Sequence, residues 1–513
     1  MRKIYSLLLS FFISLALLFV ISNQTFAQRI IDVSPGVGTL NDAVDGDTTA
    51  TGERNQPPAT YVLERDGLYL LNGTISNDGY HLIIKAAEGS GAKPILRPAV
   101  SSGGESSRCF DPRGDMTLVN LYISNKDELG SDQDRIFRVR TDSIRMFIDS
   151  CQLDYANQAA IRLDAKWTKI YLMNSIVSNI GSMASPDNGR GVDDRGNEID
   201  TLVFENCTFY NLTSRIIRDG GGIINYAKVD HCTIADIAQR GCSIGEAVEA
   251  YYTNNLVINN GFLGRTKSDT RAVVEISPLG SDLVQQGVQQ VVVVDNNNFW
   301  IDPQLVSAQP DTIDEVTVFD STTAALVDSF DTNKKSLNEA ITFTSAPALP
   351  TQVIADNWDV NVTTKAEMDQ GTDPIGKTPF DFGYSTSAQS YTYASGGQPL
   401  GDISWFGMAV GVSDQPGSAL PENYKLFQNY PNPFNPATTI TYQIAKETNV
   451  KLAIYNSLGQ LVKTLVNSDQ SAGNYSISWD GTNELGTKVS SGIYLYRINT
   501  SGFTSVKKMI MLK

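Results

Sequence analysis

Histidine is nearly missing from this chain. Among 513 residues there are two, His81 and His231, and His231 falls in a structural slot of the repeat described below. A histidine-rich zinc site or a Ser-His-Asp triad therefore lacks its material. Basic charge is short as well. Forty Lys and Arg stand against 56 Asp and Glu, giving a formal charge of -16 and a pI near 4.7. That balance argues against a nucleic-acid binder, which needs a basic face to neutralise phosphates. Cysteine is sparse and odd in number, at five, so a disulfide framework would leave at least one unpaired. Beyond the first 27 residues no run is long and apolar enough to span a bilayer.

The amino-terminal stretch has a different character. Arg2 and Lys3 precede a nearly continuous apolar run from Leu7 to Ile21, and Thr25 and Ala27 are small residues in the positions a signal peptidase reads. Residues 1–27 are thus expected to be a signal peptide. The mature chain would be secreted or held at the cell surface, with no membrane span of its own.

What fills the chain is a repeat. In Leu202-Val-Phe-Glu-Asn-Cys-Thr-Phe209 apolar positions alternate up to an Asn and then resume. Copies of the pattern place the residue after the Asn slot at 121, 151, 175, 207, 232, 255 and 297. A short-strand unit with variable inserts is the signature of a solenoid, and three short strands per unit is the period of a parallel β-helix. The slot itself holds Asn120, Ser150, Asn174, Asn206, His231, Asn254 and Asn296. Asn tolerates left-handed backbone, so this is the tight turn between the second and third strands. Cys151, Cys207 and Cys232 follow it in one inward position, as buried thiols stacked on successive coils.

Residues 28–80 are expected to cap the first coil, and regular coils to run from about 116 to 300. Residues 301–406 would hold a helix-like piece from Lys335 to Ile341, a second cap and a return segment along the solenoid. The reading is all-β: a parallel β-helix with caps over 28–407, a linker over 408–421, and a small antiparallel β-sandwich over 422–513.

Two resemblances add to this. The tail carries Phe427-Gln-Asn-Tyr-Pro-Asn-Pro-Phe-Asn-Pro-Ala437, Ala453-Ile-Tyr-Asn-Ser-Leu-Gly-Gln-Leu-Val462, Trp479-Asp-Gly and the closing Lys507-Lys-Met-Ile-Met-Leu-Lys513. In these motifs and their order it resembles the C-terminal sorting domain of the type IX secretion system. That implies the type IX secretion machinery as a partner, and passage across an outer membrane. The solenoid resembles the pectate-lyase-type right-handed parallel β-helices, and more distantly the alginate and chondroitin lyases. This implies an acidic polysaccharide as partner and, for the lyases, cleavage by β-elimination with an Arg, a Lys and calcium at the site.

In that group the groove lies on the outer face of the first strand of each coil. Aligning Ile136-Phe-Arg-Val-Arg140, Ala160-Ile-Arg-Leu-Asp164, Gly191-Val-Asp-Asp-Arg195 and Ile216-Ile-Arg-Asp-Gly220 puts Phe137, Ile161, Val192 and Ile217 inward. One outward column is then Arg138, Arg162, Asp193 and Arg218, and the next is Arg140, Asp164, Arg195 and Gly220. Arg138, Arg140, Arg162 and Asp164 are the expected substrate-binding residues, because a guanidinium fork fits carboxylate and sulfate. Arg195 and Arg218 are the candidates for the catalytic Arg. Asp193, Asp219 and Glu246 are candidates to hold calcium, an oxygen-loving ion. The columns contain no Lys for the elimination base; Lys228 falls on the second strand. Asp193, Asp194 and Asp219 are the carboxylates a glycosidase would draw on. The same columns also read as a salt-bridge ladder between coils that needs no substrate. A non-catalytic glycan-binding or adhesive surface protein is the alternative to an enzyme.

Overall fold

A computed structural model of the chain describes residues 29–100, 108–263, 272–309, 317–330, 336–371, 375–376, 379–408 and most of 424–511. The expected signal peptide, the linker from 409 onward and most of the 427–437 motif lie outside these residues. The chain divides into two compact units, Met1–Met408 and Ala409–Lys513.

In the first unit three parallel sheets of twelve, ten and six strands build a solenoid. From Ala59 to Arg218 each coil gives one strand to each sheet; the coils before and after give none to the six-stranded sheet. Arg135–Val139, Arg145–Asp149 and Gln152–Ala156 make one coil, and Ala159–Leu163, Thr168–Met173 and Ile176–Ile180 make the next. Strands pair only with their equivalents in the coils before and after, as in Phe137↔Ile161 and Met146↔Ile170. The interior is a single apolar column in which Leu118, Ile148, Leu172, Phe204, Val229 and Tyr252 stack along the axis, each 0–1% exposed.

The turn after the twelve-stranded sheet is left-handed in every regular coil. Asn120, Ser150, Asn174, Asn206, His231, Asn254 and Asn296 have φ between 48 and 60°. A second left-handed ladder, absent from the sequence reading, ends the third strand at Tyr155, Asn179, Asn211, Asp236 and Asn259. All five cysteines are free and buried, and burial pushes the Cys151 thiol up to about 12.

The ends differ from expectation. Residues 29–80 are two further coils, because Arg29–Val33, Ala59–Leu63 and Leu82–Ala86 are neighbouring strands of the twelve-stranded sheet. Among the described residues the helix Thr39–Asp45 covers the end, burying Leu40 and Val44. Of the piece expected to be helical, the described residues 336–341 form no helix, and Leu337 is bridged to Asn298; the helices nearby are Ser321–Ser329 and Thr351–Trp358. The described residues between 336 and 408 return along the ten-stranded sheet: Leu337 N–H donates to Asn297 O, Gly401 N–H to Asn254 O, and Ile403 N–H to Asn206 Oδ1.

The second unit is antiparallel, with sheets of three and four strands. Its core holds Trp479, Tyr442, Tyr496, Ile454 and Ile498, all nearly inaccessible.

Candidate functional site

The six-stranded sheet carries the predicted face. Its strands include Phe110–Asp111, Arg135–Val139, Ala159–Leu163, Arg190–Asp193 and Arg215–Arg218. Phe137, Ile161, Val192 and Ile217 are in register and at most 1% exposed. With those side chains inside, pleating turns the next residue out. Arg138, Arg162, Asp193 and Arg218 follow one another as strand partners on successive coils. Arg140, Asp164 and Arg195 stand just past the strand ends.

The charges pair across coils. Arg138 Nε donates to Asp164 Oδ2 at 2.6 Å and Arg162 Nε to Asp164 Oδ1 at 2.8 Å. Arg140 pairs with Asp111. Arg218 Nη1 reaches Asp193 Oδ1 at 2.9 Å, Arg190 Nη1 reaches Oδ2 at 3.0 Å, and Arg195 stands 4.0 Å from Oδ2. A ladder between coils would pair Arg162 with Asp193, Asp164 with Arg195 and Asp193 with Arg218; Asp193–Arg218 forms, whereas Arg162 turns to Asp164 on its own coil and Arg195 lies nearest Asp193. Burial works to raise the Asp164 carboxyl, but the hydrogen bonds from Arg162 and Arg138 outweigh it and hold the group below its ordinary value.

Arginine outnumbers carboxylate in these contacts. Arg138, Arg140, Arg162, Arg190, Arg195 and Arg218 rest on Asp111, Asp164 and Asp193, and Arg113 also draws on Asp111 at 3.8 Å. Arg195 and Arg140 each leave 42% of the side chain exposed. A guanidinium has five donors in a plane, so one shared carboxylate leaves most of the fork unused.

The sequence reading missed a third column. Arg190 is the strand partner of Arg215, and Ala159, between Arg135 and Arg190, links them through the register. Arg240 N–H donates to Ser214 O at 2.9 Å, which carries the register from Arg215 on to Arg240. The signal was an Arg two residues before each inward residue: Arg135 and Phe137, Arg190 and Val192, Arg215 and Ile217, Arg240 and Cys242. A Cβ on Gly191, beside Arg190, would lie 2.5 Å from Ile216 O, so glycine permits the close stacking there.

The three carboxylates proposed for calcium are not assembled as a metal set. Both Asp193 oxygens are taken by guanidiniums. Asp219 Oδ1 accepts from Gly221 N–H at 2.7 Å, and Glu246 Oε2 from Gly280 N–H at 3.1 Å. Among the described residues no group of three or more His, Cys, Asp or Glu is placed to hold a metal ion. Asp194 is buried, its Oδ1 accepting from Gly196 and Gly220 N–H, and burial pushes its carboxyl up to about 7. Burial likewise raises Asp219, with the like charge of Glu246 adding to it. Lys228 lies on the twelve-stranded sheet between Glu205 and Asp230, at 2.7 and 3.2 Å, and is not part of this face.

Residues 435–502 match the FlgD Ig-like domain family. Among solved structures, dimeric latent PorU from Porphyromonas gingivalis is 28% identical over 17% of this chain and 9% of its own, with a TM-score of 0.16. PorZ, an essential surface component of the type-IX secretion system of the same organism, is 17% identical over 17% of this chain and 11% of its own, with a TM-score of 0.14. The enzymatically active domain of tailspike protein 2 of bacteriophage CBA120 is 10% identical, covering 95% of this chain and 76% of its own, with a TM-score of 0.18. The chain thus spans about a tenth of PorU and of PorZ. At these TM-scores the likenesses fix neither fold nor activity. No curated protein matches the chain.

Proposed function

We propose that this protein binds an acidic polysaccharide along the outer face of the six-stranded sheet, with Arg138, Arg140, Arg162, Arg195 and Arg218 as the binding forks. The observation that carries this is the surplus of arginine on one narrow face of a chain whose formal charge is -16. A salt-bridge ladder built for stability alone would balance its charges; here three carboxylates serve six arginines. Carboxylate or sulfate on a glycan supplies the missing acceptors.

A guanidinium that neutralises a uronate carboxylate also acidifies the proton on the adjacent carbon, so elimination is the reaction this face would assist, with Arg195 and Arg218 at the reacting group. No Lys in the columns supplies a base, and binding is therefore the primary reading. The test is to titrate alginate, pectate, chondroitin sulfate and a neutral glucan into the mature chain, with and without calcium, while following the absorbance of unsaturated product. Binding of acidic chains only, weakened at least about tenfold by Arg195→Ala with Arg218→Ala, is expected. Equal binding of the neutral glucan, or none of any, overturns the reading. Growth of the absorbance makes the protein a lyase.

The second unit is read as the type IX sorting tag, on the order of its motifs and its own closed core. Loss of export to the cell surface or medium when residues 422–513 are deleted is the expected result; unchanged export refutes it.

A further inference from the structure

The third arginine column contains a charge with no ion pair of its own among the described residues, and Arg190, Arg215 and Arg240 share two carboxylates, Asp193 and Glu275. Arg215 stands between Arg190 and Arg240 on consecutive coils, largely buried; it feels the like charges of Arg240, Arg190 and Arg218 against the one opposite charge of Glu275. Its neighbours have carboxylates: Arg190 takes Asp193, and Arg240 Nη1 takes both oxygens of Glu275 at 2.9 and 2.7 Å. Arg215 has only hydroxyls. Nε donates to Ser214 Oγ at 3.2 Å and Nη1 to Ser243 Oγ at 3.4 Å. On either side the Nε of Arg190 and the Nε of Arg240 are buried with no partner among the described residues. Burial pushes the Arg215 guanidinium down to about 10, which still leaves it charged at neutral pH.

A largely buried charge without an ion pair of its own is costly, and orphaned donors beside it add to the cost. An oxyanion answers both deficits at once, because its oxygens accept from several forks while its charge offsets the surplus. We propose that Arg190, Arg215 and Arg240 form an oxyanion site that seats one carboxylate or sulfate group of a bound chain. The site lies one column over from the face assigned above, towards the turn that enters the six-stranded sheet. Its physiological ligand rests on the acidic-polysaccharide reading; the existence of the site does not.

Inorganic ions test it. Sodium sulfate and sodium acetate are titrated separately into the mature chain by calorimetry, at constant ionic strength held with chloride. The variants are Arg215→Met, Arg215→Lys and, as a control on another sheet, Arg145→Met. Saturable binding of at least one ion is expected, unchanged in Arg145→Met and weakened about tenfold or more in Arg215→Met. Arg215→Lys keeps the charge but loses the fork, and falls between. It also serves as the readout if the Met variant does not fold. Sulfate binding alone assigns a sulfated chain, acetate binding alone a uronate, and both together a site for either. Absence of saturable binding, or binding that Arg215→Met and Arg215→Lys leave intact, overturns the site. If the ions bind as expected but no acidic polysaccharide does, the site stands and the function proposed above falls. If the polysaccharide binds and the ions do not, the converse holds.

Discussion

Asp236 sits at a left-handed turn, wholly inside the protein, with Asn259 Nδ2 donating to its Oδ1 at 3.1 Å. Burial pushes its carboxyl up to about 7 from the ordinary 3.8. A folded-state value above the unfolded one means that the protonated side chain favours folding. The contribution is complete below about pH 4 and is lost as pH rises through about 7, at about 1.4 kcal/mol for each pH unit that separates the folded from the unfolded value. Asp194, raised to about 7, and Asp154 and Asp402, each raised to about 6 by burial, act in the same direction. Melting temperature is therefore expected to fall between pH 5 and pH 8. Asp236→Asn, which keeps an acceptor for Asn259, should match the native protein at pH 4 and melt increasingly higher up to pH 8. Parallel melting curves for the two proteins across that range would refute the assignment. Asp230 works the other way. Although its own burial raises it, His231 and Lys228 outweigh that and hold it far below the ordinary carboxylate range, so its contribution is lost in strong acid.

At the scale of strands and turns, the Asn ladder is the device that fixes coil on coil. Asn206 has φ of 55°, donates from Nδ2 to Asn174 Oδ1 at 2.9 Å and accepts from Ile403 N–H at 2.8 Å. Asn206→Gly removes two hydrogen bonds at about 1 kcal/mol each. Asn206→Ala removes the same bonds and adds about 1–2 kcal/mol for a Cβ in left-handed backbone. Denaturant titration should rank the native protein above the Gly variant and the Gly variant above the Ala variant; equal Gly and Ala values would show that the turn carries no strain. This ladder was legible because Asn recurs beside an alternation of apolar residues, and that alternation also set the register of Phe137, Ile161, Val192 and Ile217. The second ladder was not, since Tyr155 and Asp236 interrupt its Asn residues. The column of Arg135, Arg190, Arg215 and Arg240 escaped for another reason. Strict alternation places each of them on the inward side, two residues from an inward neighbour, where arginine is not expected. Arg135, Arg190 and Arg215 are the first residues of their strands, next to the turn that enters the sheet, where alternation read from the strand interior carries least weight. The first two coils were hidden by their insertions, a helix at Thr39–Asp45 and a loop closed by the Thr48–Arg54 bridge.

On the scale of the whole molecule, a solenoid buries its core only by stacking, so stability passes from coil to coil and the ends are the weak points. One end is closed by the Thr39–Asp45 helix. At the other, the Ser321–Ser329 helix buries Val327, and Thr323 Oγ1 accepts from Ile276 N–H at 3.0 Å. The return segment adds a constraint that stacking alone does not provide. It touches coils far apart in sequence: Glu339 O accepts from Asn298 Nδ2, Trp405 Nε1 donates to Thr208 Oγ1, and Asp369 O accepts from Asn211 Nδ2. It also covers apolar side chains on the outside of the ten-stranded sheet, with Phe380 and Phe382 against Tyr210, and Tyr384 and Leu400 in one cluster with Leu256 and Ile258. A chain ending at 408 keeps all of these contacts and should show the same solenoid melting transition as the full chain. A chain ending at 336 uncovers Tyr210, Leu256 and Ile258 together and frees each coil to open separately. Its transition should broaden, and amide exchange should quicken in the ten-stranded sheet before the twelve-stranded one. If both truncated chains melt as sharply as the full one, the return segment is a passive covering, and the stacked coils alone account for the cooperativity.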